Sequence, residues 1–334
     1  MDKKFYLGVD IGGTKCTVTG ATRDMKILDR IQFTNETEKG PENTISKLLE
    51  ASGEIIRNFP RYSLVSAGIS CGGPLDSDKG IIYSPPNLPG WDEIEIVRIF
   101  REALQVPAFL QNDANACALA EWRFGAGKGT RNMIFMTFGT GLGAGLILDG
   151  RIYTGTNDLA GEIGHIRLAD DGPEAYGKKG SFEAFCSGSG LASLAKKVIR
   201  EKMQKGEEVS LVNDRSDVDR ITAEDLAVAA YKGDKTALEI FSISAEYLGK
   251  GLSILIDILN PQKIVIGSVY ARNPDLFEAV SKRIIQREAL KPARNVCEIV
   301  PSALGDRVGD LAALSVAITG NFFGESGILA DRDQ

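Results

Sequence analysis

Phe5-Tyr-Leu-Gly-Val-Asp-Ile-Gly-Gly-Thr-Lys-Cys-Thr-Val-Thr-Gly-Ala-Thr22 reads as strand, glycine turn, strand. Met133-Ile-Phe-Met-Thr-Phe-Gly-Thr-Gly-Leu-Gly-Ala-Gly-Leu-Ile-Leu-Asp-Gly-Arg-Ile-Tyr153 repeats that plan loosely. Any α/β protein can contain one such hairpin. Two of them, each opening a half-chain of mixed strand and helix pattern, predict an α/β molecule with two similar lobes and a cleft between them.

Outward from the first hairpin, Lys26–Phe33 reads as a third strand and Asn43–Asn58 as a helix with Ile45, Leu48, Leu49, Ile55 and Ile56 on its apolar face. Leu64–Ser70 is a strand, Cys71–Gly90 a long loop, Ile94–Leu104 a helix, Ala108–Gln111 a strand and Ala114–Phe124 a helix. After the second hairpin, whose second strand is read as Leu146–Ile152, Thr154–Ser189 is irregular. Helical patterns follow at Gly190–Met203, Ala223–Lys232, Thr236–Leu259 and Pro274–Glu288. Strands are expected at Lys263–Gly267 and Val296–Pro301, a last helix at Gly309–Thr319, and a frayed polar tail from Glu325.

Composition narrows the chemistry. The 334 residues hold one histidine, His165, and five scattered cysteines, none forming a Cys-x-x-Cys pair. Multi-histidine metal centres and a disulfide scaffold are excluded, and free thiols point to a reducing cytosol. The net charge of −6 argues against a general nucleic-acid surface. No apolar run reaches the roughly 18 residues that span a bilayer. A cytoplasmic protein is expected, with neither nucleic acid nor membrane as partner.

The glycine turns are candidate phosphate sites. In Asp10-Ile-Gly-Gly-Thr-Lys15 the backbone N–H groups of Gly12 and Gly13 can form an anion nest, with the Thr14 hydroxyl and Lys15 ammonium beside it. Asp10 can face a hydrated Mg²⁺. No P-loop is present, and the glycine run Gly139–Gly145 precedes a strand, not the helix of a dinucleotide site. Gln111-Asn-Asp-Ala-Asn-Ala116 lies where a strand hands over to a helix. Asp113 there is either a general base, with Asn112 fixing a substrate hydroxyl, or part of a helix cap. Glu162 and His165 can hydrogen-bond a polyol, or His165 is merely exposed. Glu183 alone is an ordinary surface residue. Asn87 and Trp91 can contact a sugar from the long loop, or Trp91 is a packed staple.

Taken in order, these segments resemble the ROK family (repressors, open reading frames and kinases) of sugar kinases. The resemblance runs through Leu7-Gly-Val-Asp-Ile-Gly-Gly-Thr-Lys15, Gly72-Gly-Pro with Pro86-Asn-Leu-Pro-Gly-Trp91, Asn112-Asp-Ala-Asn-Ala116 and Phe138–Gly150. It continues through Gly161-Glu-Ile-Gly-His165, Asn260-Pro-Gln-Lys-Ile-Val-Ile-Gly267 and Gly305-Asp-Arg-Val-Gly309. It implies an actin-like, ribonuclease H-like two-lobed ATPase fold with mixed sheets. A small lobe would comprise 1–113 with about 309–334, and a large lobe 114–308. It implies phosphorylation of a hexose, glucose first, or of an N-acetylhexosamine, at the 6-hydroxyl, using ATP and Mg²⁺, in a homodimer. Asp113 would then be the base. Gly73, Asn87, Asn112, Glu162, His165 and Glu183 would hold the sugar. Gly12, Gly13, Thr14 and Lys15 would cradle phosphate from one lobe, Thr140 and Gly141 from the other. Gly267 would lie near the nucleoside, and Asp10 would face the metal.

Three departures stand out. Family members commonly carry three cysteines after the Gly-His pair, which bind structural zinc with the histidine. Glu174, Tyr176 and Ser181 occupy those positions here, so no such zinc is expected and the loop needs packing and hydrogen bonds instead. Ser268 follows Gly267 where a second glycine is usual, and Gly72-Gly73-Pro74 replaces a common Pro-Gly-Pro. A sugar-responsive transcriptional regulator is the competing reading. It would need a helix-turn-helix before Asp10, and the first strand begins by about residue 5, leaving no room for one. A sugar-binding protein without catalysis is a third, opposed by Asp113 and both glycine turns.

Overall fold

The computed structural model describes residues 3–207, 209–212, 214 and 217–323; the tail from Glu325 lies outside them. β1 (Lys3–Ile11), β2 (Lys15–Ala21) and β3 (Ile27–Thr34) form an antiparallel meander. After α1 (Gly40–Asn58), β4 (Tyr62–Cys71) pairs parallel to β1. A small hairpin, β5 (Leu75–Asp76) with β6 (Ile81–Ile82), and α2 (Ile96–Leu104) lead to β7 (Ala108–Asn112), parallel to β4. The sheet order is β3-β2-β1-β4-β7.

The second half repeats this plan. α3 (Asp113–Phe124) leads to β8 (Met133–Met136), β9 (Ala144–Leu148) and β10 (Arg151–Tyr153), again an antiparallel meander. Beyond the hairpin β11 (Glu174–Ala175) with β12 (Lys178–Lys179) come α4 (Phe182–Phe185), α5 (Gly188–Gln204), α6 (Ala223–Tyr231) and the 25-residue α7 (Lys235–Leu259). β13 (Lys263–Ile266) then joins β8 in parallel; α8 (Ser268–Arg272), α9 (Glu278–Glu288) and α10 (Lys291–Arg294) precede β14 (Glu298–Pro301). The order is β10-β9-β8-β13-β14. The chain ends in α11 (Val308–Phe323).

Strand alternation sorts the layers. In β1 the odd positions Phe5, Leu7, Val9 and Ile11 pack with Leu48 and Ile55 of α1, while Tyr6 faces Leu311 and Leu314 of α11. In β8, Ile134 and Met136 pack with α5, α6 and α7, while Met133 and Phe135 meet Leu119 of α3 and Val316 of α11. The pair α3 and α11 therefore lies between the two sheets. Its members are rich in alanine, which lets backbones approach. Gly8 and Gly68 are paired across β1 and β4, and a Cβ on Gly68 would lie 2.2 Å from both the Ala313 oxygen and the Ala317 nitrogen. A Cβ on Gly145 of β9 would sit 2.5 Å from the Ala118 Cβ of α3.

Glu121, fully buried in α3, ties that helix to the segment entering α11. Its carboxylate accepts from the backbone N–H groups of Ala126 (2.7 Å), Leu304 (3.0 Å) and Ala303 (3.4 Å), and from the Ser302 hydroxyl.

Several boundaries differ from the sequence reading. The strand expected over Leu146–Ile152 is two strands broken at Asp149-Gly150, both at positive φ (51° and 74°), a two-residue turn that the Asp-Gly pair itself encodes. The region expected to be irregular, Thr154–Ser189, contains β11, β12 and α4 and starts α5. α1 begins at Gly40, with Pro at the first turn, and α9 begins only after a 3₁₀ turn at Pro274–Leu276. Gly267 is not in the strand but caps α8. Among the described residues no helix is long and apolar enough to cross a membrane.

Gly68→Ala should fail to fold or lose several kcal/mol, since the added methyl meets helix backbone that cannot yield. Gly309→Ala, with open space around it, should be neutral or slightly stabilising. Urea melts of both variants check this, and equal stabilities would overturn it.

Candidate active site

The end of each sheet delivers its glycine turn to one cleft. In the first turn Gly12 N–H donates to the Lys15 carbonyl (3.2 Å), closing the hairpin. Asn35 straps it: its Nδ2 donates to the Gly12 carbonyl (2.7 Å), its N–H to the Thr14 carbonyl (2.9 Å), and its Oδ1 accepts from Thr44 (2.6 Å). Thr14 and Lys15 are left exposed. A Cβ on Gly13 would fall 2.6 Å from the Asn87 carbonyl oxygen, so the first turn lies directly against the loop carrying Asn87. Gly73, from the same loop, would place a Cβ 3.5 Å from Asn112 Nδ2.

Asn112 caps α3, its Oδ1 accepting from Ala114 N–H (2.9 Å). Asp113 is the first helical residue, and its Oδ1 takes the same N–H (2.7 Å). The cap expected from sequence is thus real and belongs chiefly to Asn112, leaving Asp113 facing the cleft. Asp113 is accessible to water there, yet protein surrounds it on the scale that sets charge solvation. Burial pushes its carboxyl above the usual range against the pull of the Ala114 N–H. Asp10, at the end of β1, is pushed up to about 6 by burial first and then by Asp113, with the Ser70 hydroxyl opposing. Glu162 is raised by burial, then by Asp113 and Glu183, with His165 opposing. Asp113 thus lies within electrostatic reach of Asp10 and of Glu162, and Glu162 within reach of Glu183 and His165.

The second turn is held from α4. Glu183 Oε2 accepts from Leu142 N–H (2.9 Å), and a Cβ on Gly141 would approach that oxygen to 2.9 Å. Glu183 is therefore no ordinary surface residue. The Ser189 hydroxyl donates to the Thr140 carbonyl (2.6 Å) and Gly188 N–H to the Gly139 carbonyl (2.7 Å), while the Thr140 side chain stays exposed. Gly267 lies next to this turn: its N–H donates to Met136 and Val269 N–H donates to Phe138. Ser268, where a second glycine is usual, adopts φ 51°.

Glu162 precedes and His165 ends a 3₁₀ turn (Ile163–His165), and both are exposed. Where the cysteines were absent, β11 and β12 close on Tyr176-Gly177, both at positive φ (49° and 65°). Lys178 Nζ donates to the His165 carbonyl (2.6 Å), and Phe182 N–H to the Ile166 carbonyl (2.8 Å). Ser181 is buried and caps α4. Trp91 is 1% exposed in the core of the first lobe, so it is a packed staple and not a ligand contact. Asn35, Ser70 and the Glu183–Leu142 bond were not anticipated; the register that sets Ser70 beside Asp10 emerges only when β1 and β4 pair.

Two lobes of repeated topology, joined by a central helix pair and facing each other with glycine turns, define the actin-like ATPase class of fold. The chain belongs to the ROK family, whose profile matches residues 6–319. A glucokinase of Halalkalibacterium halodurans is 32% identical over 313 residues, covering 92% of this chain and 93% of that one. A xylose repressor of Bacillus subtilis is 26% identical, covering 94% of this chain but 77% of its own length. The crystal structure of a ROK family glucokinase from Streptomyces griseus, in complex with glucose and AMPPNP, superposes with a TM-score of 0.74 at 27% identity, over 95% of this chain and all (100%) of that one.

A carboxyl raised in the fold favours the folded state while protonated. Asp10 contributes fully below about pH 4, and that contribution disappears as pH rises through about 6. In the free protein Asp10→Asn should therefore stabilise by roughly 2 kcal/mol at pH 7.5 and change little at pH 4. Thermal melts at the two pH values check this, and a shift that is the same at both would overturn it.

Proposed function

We propose that the protein is an ATP-dependent hexose kinase acting on a 6-hydroxyl, with glucose the first substrate to test. The observation that carries the reading is Asp113: a carboxyl of raised proton affinity at a helix start, set among Glu162, Glu183 and His165 and flanked by glycine turns from both lobes. In this reading Gly73, Asn87, Asn112, Glu162, His165 and Glu183 hold the sugar. Gly12, Gly13, Thr14 and Lys15 take phosphate oxygens from one side, Thr140 and Gly141 from the other, and Gly267 borders the nucleoside. As the sugar oxygen bonds to the γ-phosphorus, Asp113 accepts its proton, the bond to the β-phosphate oxygen breaks, and ADP leaves.

The donor set suits a magnesium nucleotide: one carboxylate, Asp10, whose charge burial and the neighbouring Asp113 disfavour until a cation arrives, beside exposed Thr14 and Lys15. Mg²⁺ would neutralise developing charge on the phosphates. The lobes are assigned as 1–113 with about 309–334, and 114–308. The family resemblance extends the reading to a homodimer, and the scattered cysteines, net charge of −6 and lack of a long apolar run extend it to a cytoplasmic protein with neither nucleic acid nor membrane as partner. The glucokinase relatives match at 32% and 30% identity and the xylose repressor at 26%, which favours kinase over regulator.

An ADP-release assay over glucose, N-acetylglucosamine and N-acetylmannosamine tests the reading. Turnover on glucose is expected, turnover on an N-acetylhexosamine alone would reassign the substrate, and none on any sugar would sink the proposal. Asp113→Asn should lower kcat by roughly 10³-fold while the protein stays folded. Unchanged turnover would remove Asp113 as the base.

A further inference from the structure

Two loops bring candidate sugar-holding residues to the cleft from opposite lobes. One carries Gly73 and Asn87, the other leads into Glu162 and His165. Each is anchored to its own lobe. On the first, Gly80 N–H donates to the Asp76 carbonyl (2.8 Å), and a Cβ on Gly80 would meet Val97 of α2 at 2.4 Å. On the second, Ala160 N–H donates to the Thr154 carbonyl (3.0 Å), and the Gly161 carbonyl accepts from Ala144 N–H of β9 (2.8 Å).

Asp158 joins the two. Its Oδ2 accepts from Ser77 N–H (2.7 Å) and its Oδ1 from the Ser77 hydroxyl (2.8 Å), so one carboxylate grips one residue through both oxygens. Both side chains are half-buried. Hydrogen bonds to a charged acceptor are the stronger kind, and two from one residue also fix direction. Asp158 achieves this from φ 58°, a left-handed conformation that costs a non-glycine residue free energy and persists where surroundings enforce it.

We propose that Asp158 is a positioning residue that latches the sugar-facing loops of the two lobes across the cleft. The latch holds Gly73 and Asn87 in register with Glu162 and His165, so that the sugar meets an assembled site. The identity of the ligand rests on the kinase reading; the latch itself does not.

Kinetics and amide exchange on the full-length protein test it. Asp158→Ala should raise the sugar KM about tenfold or more, with less than a twofold change in the ATP KM. Asp158→Gly removes the carboxylate and relieves the left-handed backbone, so it should raise the sugar KM equally without lowering Tm. Asp158→Asn keeps an acceptor oxygen and tolerates positive φ, and should recover part of the loss. Ser77→Ala should cost less, because its N–H bond remains, and should add nothing to Asp158→Ala. Exchange at the Ser77 amide should be slow in the unmodified protein and fast in Asp158→Gly. A sugar KM unchanged in Asp158→Gly would overturn the proposal, as would equal rises in both KM values with a fall in Tm. If the unmodified protein turns over no sugar, the kinase reading fails separately. The Ser77 amide then decides the latch, and unaltered exchange overturns it.

Discussion

The distance between α11 and the first sheet governs the molecule. Gly8 and Gly68, side by side on β1 and β4, leave no side chain between strand and helix at their level, so there α11 lies against bare backbone. Its opposite side, through Ala312 and Val316, then reaches Val265 and Phe135 of the second sheet. α3 fits beside it because Ala116, Ala118 and Ala120 are small and because Gly145 admits it to β9. A single seam of small residues thus joins the two sheets. Asp113 stands at the start of one of its helices, while Asp10 lies two residues beyond Gly8, near the end of β1.

The cleft so formed concentrates negative charge. Burial raises Asp10, Asp113 and Glu162, and the field of Asp113 raises Asp10 and Glu162 further. A site with this balance holds protons readily, which suits a base, and gains from any cation brought with an anionic ligand. The glycine turns and Lys15 provide positive poles at its rim, and no cation figures among the groups that shift Asp113. The loop near His165 is held by a two-residue hairpin turn, a lysine on a carbonyl, and a buried serine cap.

Much of this was legible in the chain. The hairpins announced themselves through period-two apolar runs around glycine, and the repeated topology followed from finding them twice. Asn112 and Asp113 were legible as a pair but not in their division of labour, because cap and base are the same residue types at the same place. The short hairpins at Leu75–Ile82 and Glu174–Lys179 were hidden, since two-residue strands have no periodicity. Asn35, Ser70 and Ser77 were beyond reach for another reason: their partners are distant in sequence, and only strand register and lobe packing bring them near. Trp91 shows the converse, a residue whose chemistry suits a sugar but whose burial commits it to the core.

Glu121 carries a mechanical consequence. Its carboxylate is shared between the end of α3 and the residues that enter α11, and its partners there are N–H groups and one hydroxyl. Pulling those elements apart would strip bonds from a buried polar group, a cost that protein interiors rarely leave unmet. The two chain crossings between the lobes are thereby coupled like the leaves of one spring. They can flex together, but neither can tilt without carrying the other.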